Sequence, residues 1–183
     1  MISFQFKSFR AKSRNPAVLP LRLFHGIPPL RFGRNDVSFV MPFHYLEDVG
    51  TADIAFEATG RDLPELFMAA ADATMNVMID NLDAIESRET RQIELSNDNV
   101  EMLLFDFLQE LIYFKDAKRL LLRARETQID RKGEQCFLKA KVAGERLDDT
   151  RHQQRADVKA VTLHGFSVEI QDGGWKAKVL LDI

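Results

Sequence analysis

Cysteine is almost absent: the 183 residues contain one, Cys136. A lone cysteine excludes an internal disulfide framework and a paired-cysteine metal site. Between Gln135 and Phe137, in a stretch patterned as a strand, it reads as a small buried apolar residue. A chain with no disulfide to maintain fits a reducing, cytoplasmic setting. Long apolar runs are missing too, and none approaches the roughly 18 residues needed to span a bilayer. There is no Gly-x-Gly-x-x-Gly stretch, no phosphate-binding glycine loop, no His-Glu-x-x-His and no nucleophile elbow. The chain therefore reads as a non-enzyme. At 45% apolar residues it has enough to build the core of one domain.

Acid is scarce at one end. Residues 1–40 hold seven basic side chains (Lys7, Arg10, Lys12, Arg14, Arg22, Arg31, Arg34) against Asp36 alone, and four of the six prolines. They lack the apolar stretch of a secretory signal. The segment reads as disordered, or as sequence ahead of the true start, rather than as a transit presequence; the domain-like pattern begins at Met41 and runs to 183. Taking the seven and the one from the chain's 25 basic and 28 acidic residues leaves 18 and 27, a net of −9. A body so charged is repelled by phosphate backbones and suits docking onto a basic protein.

From Met41 on, residues 43–47 and 51–58 read as strands, with Ile54, Phe56 and Ala58 on one face and Asp53 and Glu57 on the other. Gly60 ends the second. Asp62 and Glu65 have the spacing of a capping box for a helix ending near Asp80, with Leu63, Phe67, Ala70, Thr74, Val77 and Met78 on its inner stripe. Residues 90–96 alternate again. Asp98 and Glu101 repeat the cap spacing ahead of a second helix, over 98–115, with Leu104, Phe107, Leu108 and Leu111 on its apolar face. Two hairpins complete the chain, 119–130 with 134–143 around Gly133, and 157–170 with 175–182 around Asp172-Gly173. The expected class is α+β, an antiparallel sheet with two helices packed on it.

Few residues could carry chemistry. In the last strand Trp175, Ala177, Val179 and Leu181 share one face, and Lys176, Lys178 and Asp182 the other. Asp182 adjoins Ile183, so a side-chain carboxylate stands next to the terminal one. Two readings stay open: an ordinary exposed Asp, or an oxygen site for a hard ion such as Ca²⁺ or Mg²⁺. His152 and His164 lack metal-ligand spacing and read as structural. Glu110 reads as an edge position of its helix, and Lys159, between apolar neighbours, as a side chain reaching for the surface.

Several stretches together resemble the archease family: Thr51-Ala52-Asp53-Ile54, Thr59-Gly60, Leu63 with Glu65-Leu66-Phe67, Phe107 to Tyr113, Arg151-His152, Val158 to Thr162, and the closing Leu181-Asp182-Ile183. The resemblance covers about residues 41–183. It implies a protein cofactor of the RtcB-type GTP-dependent RNA ligase, which is guanylylated on a histidine and joins 3′-phosphate or cyclic-phosphate ends to 5′-hydroxyl ends in tRNA splicing or RNA repair. The family's member speeds guanylylation and allows multiple turnover. RNA would be met only through the ligase. The resemblance also implies a divalent metal ion, Ca²⁺ with Mg²⁺ or Mn²⁺ as alternatives, held by Asp53, Asp182 and Ile183, and a ligase-facing role for Glu110 and Lys159. Gly50 replaces the His that precedes Thr-Ala-Asp in the family. The competing readings are a general chaperone or modulator of RNA-modifying enzymes such as tRNA methyltransferases, and a small metal-dependent hydrolase.

A chain beginning at Met41 is expected to keep the thermal midpoint of the full chain in scanning calorimetry. A large loss would move the boundary. On that shortened chain, filter binding at physiological salt is expected to show RNA affinity weaker than micromolar, because the body carries a net −9 and phosphate binding needs an excess of clustered Lys or Arg.

Overall fold

The computed structural model describes residues 42–46 and 53–183. The expectations for residues 1–40, and those at Gly50, Thr51 and Ala52, lie outside the described residues. The class is α+β, and its strands divide between two antiparallel sheets. One, in the order β1-β2-β7-β6, is built from β1 (Phe43–Tyr45), β2 (Asp53–Gly60), β6 (Ala160–Gln171) and β7 (Gly174–Asp182). The other, in the order β3-β5-β4, holds β3 (Glu89–Asn97), β4 (Leu120–Lys132) and β5 (Gln135–Arg146). The helices α1 (Leu63–Met78) and α2 (Val100–Lys118) each pack against strands of both sheets. Among the described residues no helix is long and apolar enough to cross a membrane.

Contact on two sides explains why α1 buries more than the one stripe expected. Eleven of its 16 residues are buried, too many for a helix resting on a single surface. Ala69, Ala70, Ala71 and Ala73 keep its girth small. Phe67 stacks on Phe107 of α2 with ring centroids 6.1 Å apart. Asp72, on the remaining face, takes a two-pronged contact from Arg123 of β4 at 2.8 and 3.0 Å.

Local chemistry sets the helix ends. Asp62 caps α1 by accepting the Glu65 N–H at 2.9 Å, and Glu65 reaches back to the Arg61 N–H, one residue beyond a reciprocal capping box. For α2 the cap is Asn99, not Asp98: Asn99 Oδ1 accepts from the Met102 N–H at 2.7 Å. Glu101, freed of a capping role, accepts instead from the Val168 N–H of β6 at 3.2 Å. The β6–β7 turn holds Asp172 and Gly173 at φ 52° and 80°, the pair of positive values a two-residue hairpin needs.

Residues 147–159 form a strap from β5 to β6. Its Arg155 and Ala156 N–H groups donate to the carbonyls of Met78 and Val77, closing two of the orphan acceptors at the end of α1. The strap is anchored by His152, which is buried in accord with the structural reading, whereas His164 is exposed. His152 Nδ1 accepts the Asp148 N–H at 2.9 Å, so the neutral ring carries its proton on Nε2, 3.2 Å from the buried Glu145 carboxylate. Glu145 also accepts from the Glu86 N–H at 2.7 Å, from Arg151, and from Arg88 at 3.1 Å. Burial would raise the Glu145 pKa, but these donors outweigh it and hold the carboxyl below its ordinary value of 4.5.

A folded-state pKa below the unfolded one means that stability is fully present above pH 4.5 and is lost as pH falls through the lower folded value. Arg88 and Arg151 are 63% and 34% exposed and stay solvated when their partner is removed. Glu145→Gln is therefore expected to cost roughly 1.5–3 kcal/mol at pH 7, with the gap to the wild type narrowing as pH falls below 4.5, as read from urea unfolding at stepped pH. A second test concerns the close approach of two strands. A Cβ at Gly144 would sit 1.7 Å from the Leu121 carbonyl oxygen, so Gly144→Ala is expected to destabilise by about 3 kcal/mol in the same measurement.

Candidate functional site

The site expected from the sequence lies where β2 and β7 meet. The two strands pair antiparallel from Gly60 opposite Trp175 to Asp53 opposite Asp182. Alternation then sorts their side chains. Ile54, Phe56 and Ala58 face the core with Leu181, Val179 and Ala177, while Asp53 and Asp182 share the outer face. Directly opposed residues have Cβ atoms about 5 Å apart, and like charges in that position repel. Within β7 the nearest lysine on the same face is Lys178, four residues away and roughly 13 Å along the strand. It lies opposite Glu57.

The cation that does come close is Lys159. Its N–H donates to the Asp182 carbonyl at 2.9 Å and its Nζ to the Ile183 main-chain oxygen at 3.0 Å. The expected strand begins later than residue 157: β6 opens at Ala160, opposite Asp182, so Lys159 stands just before the ladder. Asp53, Asp182 and Ile183 are each partly exposed.

Asp53, Asp182 and Ile183 offer oxygen donors only, the type that hard divalent ions take, and the Lys159 ammonium contacts the Ile183 oxygen. Among the described residues no group of three or more His, Cys, Asp or Glu side chains is placed to hold a metal ion.

Glu110 and Lys159, far apart in sequence, line one cleft of about 540 Å³ together with Leu95, Asp106, Gln109 and Tyr113. Tyr113 is 51% exposed, and among the described residues Glu110 has no charged or hydrogen-bonding partner. Lys159 thus touches both the Ile183 oxygen and the cleft.

Two side chains the sequence did not single out hold this corner. Lys115 donates to Asp157 Oδ1 at 2.7 Å and to the Val158 carbonyl at 3.0 Å, and pairs with Asp116. Burial works against its charge, but Asp116 and Asp157 outweigh burial and raise its pKa. Gln109 Oε1 accepts the Val161 N–H at 2.8 Å. Gln109 lies within the 107–113 stretch that resembles the family and Lys115 outside it, and their position on α2 reveals what they hold.

Residues 43–183 match the model of the Archease protein family. Protein archease of Pyrococcus abyssi is 37% identical over 134 residues, 73% of this chain and 94% of that protein. That of Methanothermobacter thermautotrophicus is 37% identical over 133 residues, with the same coverage. The solution structure of Methanobacterium thermoautotrophicum protein 1598 superposes with a TM-score of 0.69 at 34% identity, over 79% of this chain and all of that one. A crystal structure of an archease from Thermotoga maritima, described as a possible chaperone, shares the fold with a TM-score of 0.51 at 23% identity, over 76% of this chain and 98% of that one. With the family model spanning both sheets, both helices and the Asp53–Asp182 pair, the chain belongs to the archease family.

Proposed function

We propose that the protein is a non-catalytic activator of an RtcB-type GTP-dependent RNA ligase, promoting its guanylylation and multiple turnover in tRNA splicing or RNA repair. The observation that supports this most is the cross-strand pairing of Asp53 with Asp182 beside Ile183 and Lys159. Asp53, Asp182 and the main-chain oxygen of Ile183 hold one divalent cation, Ca²⁺ in the first instance, with Mg²⁺ or Mn²⁺ as alternatives. When bound, the ion neutralises the opposed carboxylates and offers a fixed positive charge. Glu110 and Lys159 face the ligase from the cleft along α2. RNA is contacted by the ligase, not by this acidic body, and the setting is the cytoplasm.

Asp53→Asn and Asp182→Asn remove one charge each from the outer face and leave the β2–β7 core contacts in place. Both variants are expected to unfold at the wild-type temperature or slightly above without metal, because they relieve repulsion. They are expected to lose the Ca²⁺-dependent rise in midpoint, a stabilisation of about 2.7 kcal/mol for a protein at a hundred times its Kd. Stimulation of ligase guanylylation is expected to fall at least about tenfold. Stimulation at the wild-type rate by both variants would sink the metal-site reading and leave the general chaperone in its place.

A further inference from the structure

The ends of β2 and β7 do not by themselves fix Lys159. That residue sits where the strap becomes a strand, one position before the first β6–β7 pair. What borders it on either side is α2. Lys115 grips the chain just before it, at Asp157 and at the carbonyl of the fully buried Val158. Gln109 grips it just after, at the Val161 N–H. The spans match. Six residues of helix rise about 9 Å, and three residues of extended chain from 158 to 161 cover about 10 Å.

The character of Lys115 also sets it apart from a surface lysine. Its side chain is only 10% exposed, and its donors are spent on Asp157, Val158 and Asp116. Without it, the carbonyl of a buried residue loses its partner, and such groups are nearly always satisfied in a folded protein. Gln109 plays the complementary part on the open edge of β6, where a main-chain N–H has no neighbouring strand to receive it. Between the two grips, Lys159 makes both of its contacts to the end of β7.

We propose that Lys115 and Gln109 form a two-point clamp by which α2 sets the position of Lys159 and, through it, the Asp182–Ile183 end of β7. Both are positioning residues for the Asp53–Asp182 site, and this role rests on the reading of that site given above. Because Glu110 follows Gln109 directly on α2, the clamp also ties the cleft to the site through one rigid helix.

The test uses the full chain and reads the clamp without any metal. In Lys115→Met, the Lys159 amide, which donates to Asp182, is expected to exchange its hydrogen at least about tenfold faster by NMR. The Leu138 and Ala140 amides of β5 should keep the wild-type rate. Lys115→Arg, which retains a donor for Asp157 and Val158, is expected to restore most of the protection. Calcium titration by calorimetry then reads the consequence: Lys115→Met should weaken Kd by roughly 10-fold, the scale on which residues that orient metal ligands act, while Asp53→Asn removes binding. Unchanged Lys159 exchange, or an acceleration shared equally by β5, would overturn the clamp. If Lys115→Met does not fold, Gln109→Leu decides the matter by the same comparison at the Lys159 amide, which Gln109 does not touch. Wild-type protein that takes up no Ca²⁺ would defeat the cation reading alone, since the exchange result stands apart from it.

Discussion

Everything in the four-stranded sheet depends on the register of β2 against β7. Eight consecutive pairs join them, from Asp53–Asp182 to Gly60–Trp175. Side chains alternate with a period of two, so a slip of β2 by one residue would turn Phe56 outward and carry Asp53 into the core, and a slip of β7 would do the same to Val179 and Asp182. The penalty for burying an unpaired carboxylate is far larger than that of a lost apolar contact. The apolar residues therefore hold the acidic pair in place, and the acidic pair forbids the alternative register. One constraint sets both the core and the site.

The helices turn that pairing into a domain. With strands on two sides, α1 has little polar surface left, and the groups it cannot hide are answered individually. Asp72 meets Arg123, the Thr127 hydroxyl donates to the Pro64 carbonyl, and the strap caps the carbonyls of Val77 and Met78. The strap is in turn fixed by Glu145 and His152, buried groups whose charge and hydrogen-bonding capacity are met by Arg88, Arg151 and main-chain N–H donors. This chain of obligations runs from the end of α1 through residues 147–159 to Lys159 and the edge of β7. A polar network of this kind defines one arrangement more sharply than apolar packing alone, because each unmet partner is costly in a low-dielectric interior.

Much of the fold was legible because it rests on local rules. The period-two pattern placed both hairpins, Asp172-Gly173 marked the tight turn, and Asp62 announced the start of α1. The second cap was misplaced by one residue, since Asp98 and Asn99 offer the same chemistry and only the course of the chain chooses between them. The division of the seven strands of the described residues into two sheets was not visible. Strand partners are set by contacts among residues distant in sequence, and alternation reports which face is apolar without saying what covers it. The excess of buried positions on α1 was the available sign, in its run of alanines, that a second surface lay against it.

The site divides along the same line. Sequence alone determined that Asp182 projects away from the core, because parity along a strand is a local property, and it determined that the described domain is acidic and holds no disulfide. The family resemblance added Asp53. Only the tertiary structure placed Asp53 opposite Asp182, carried Lys159 to Ile183, joined Glu110 to Lys159 in one cleft, and drew Lys115 and Gln109 around the strap. Each of these meetings spans 40 or more residues of chain, apart from the 24 between Lys159 and Ile183. The cost of closing such loops is met by the whole core at once, so no local pattern in the sequence records which residues will come together.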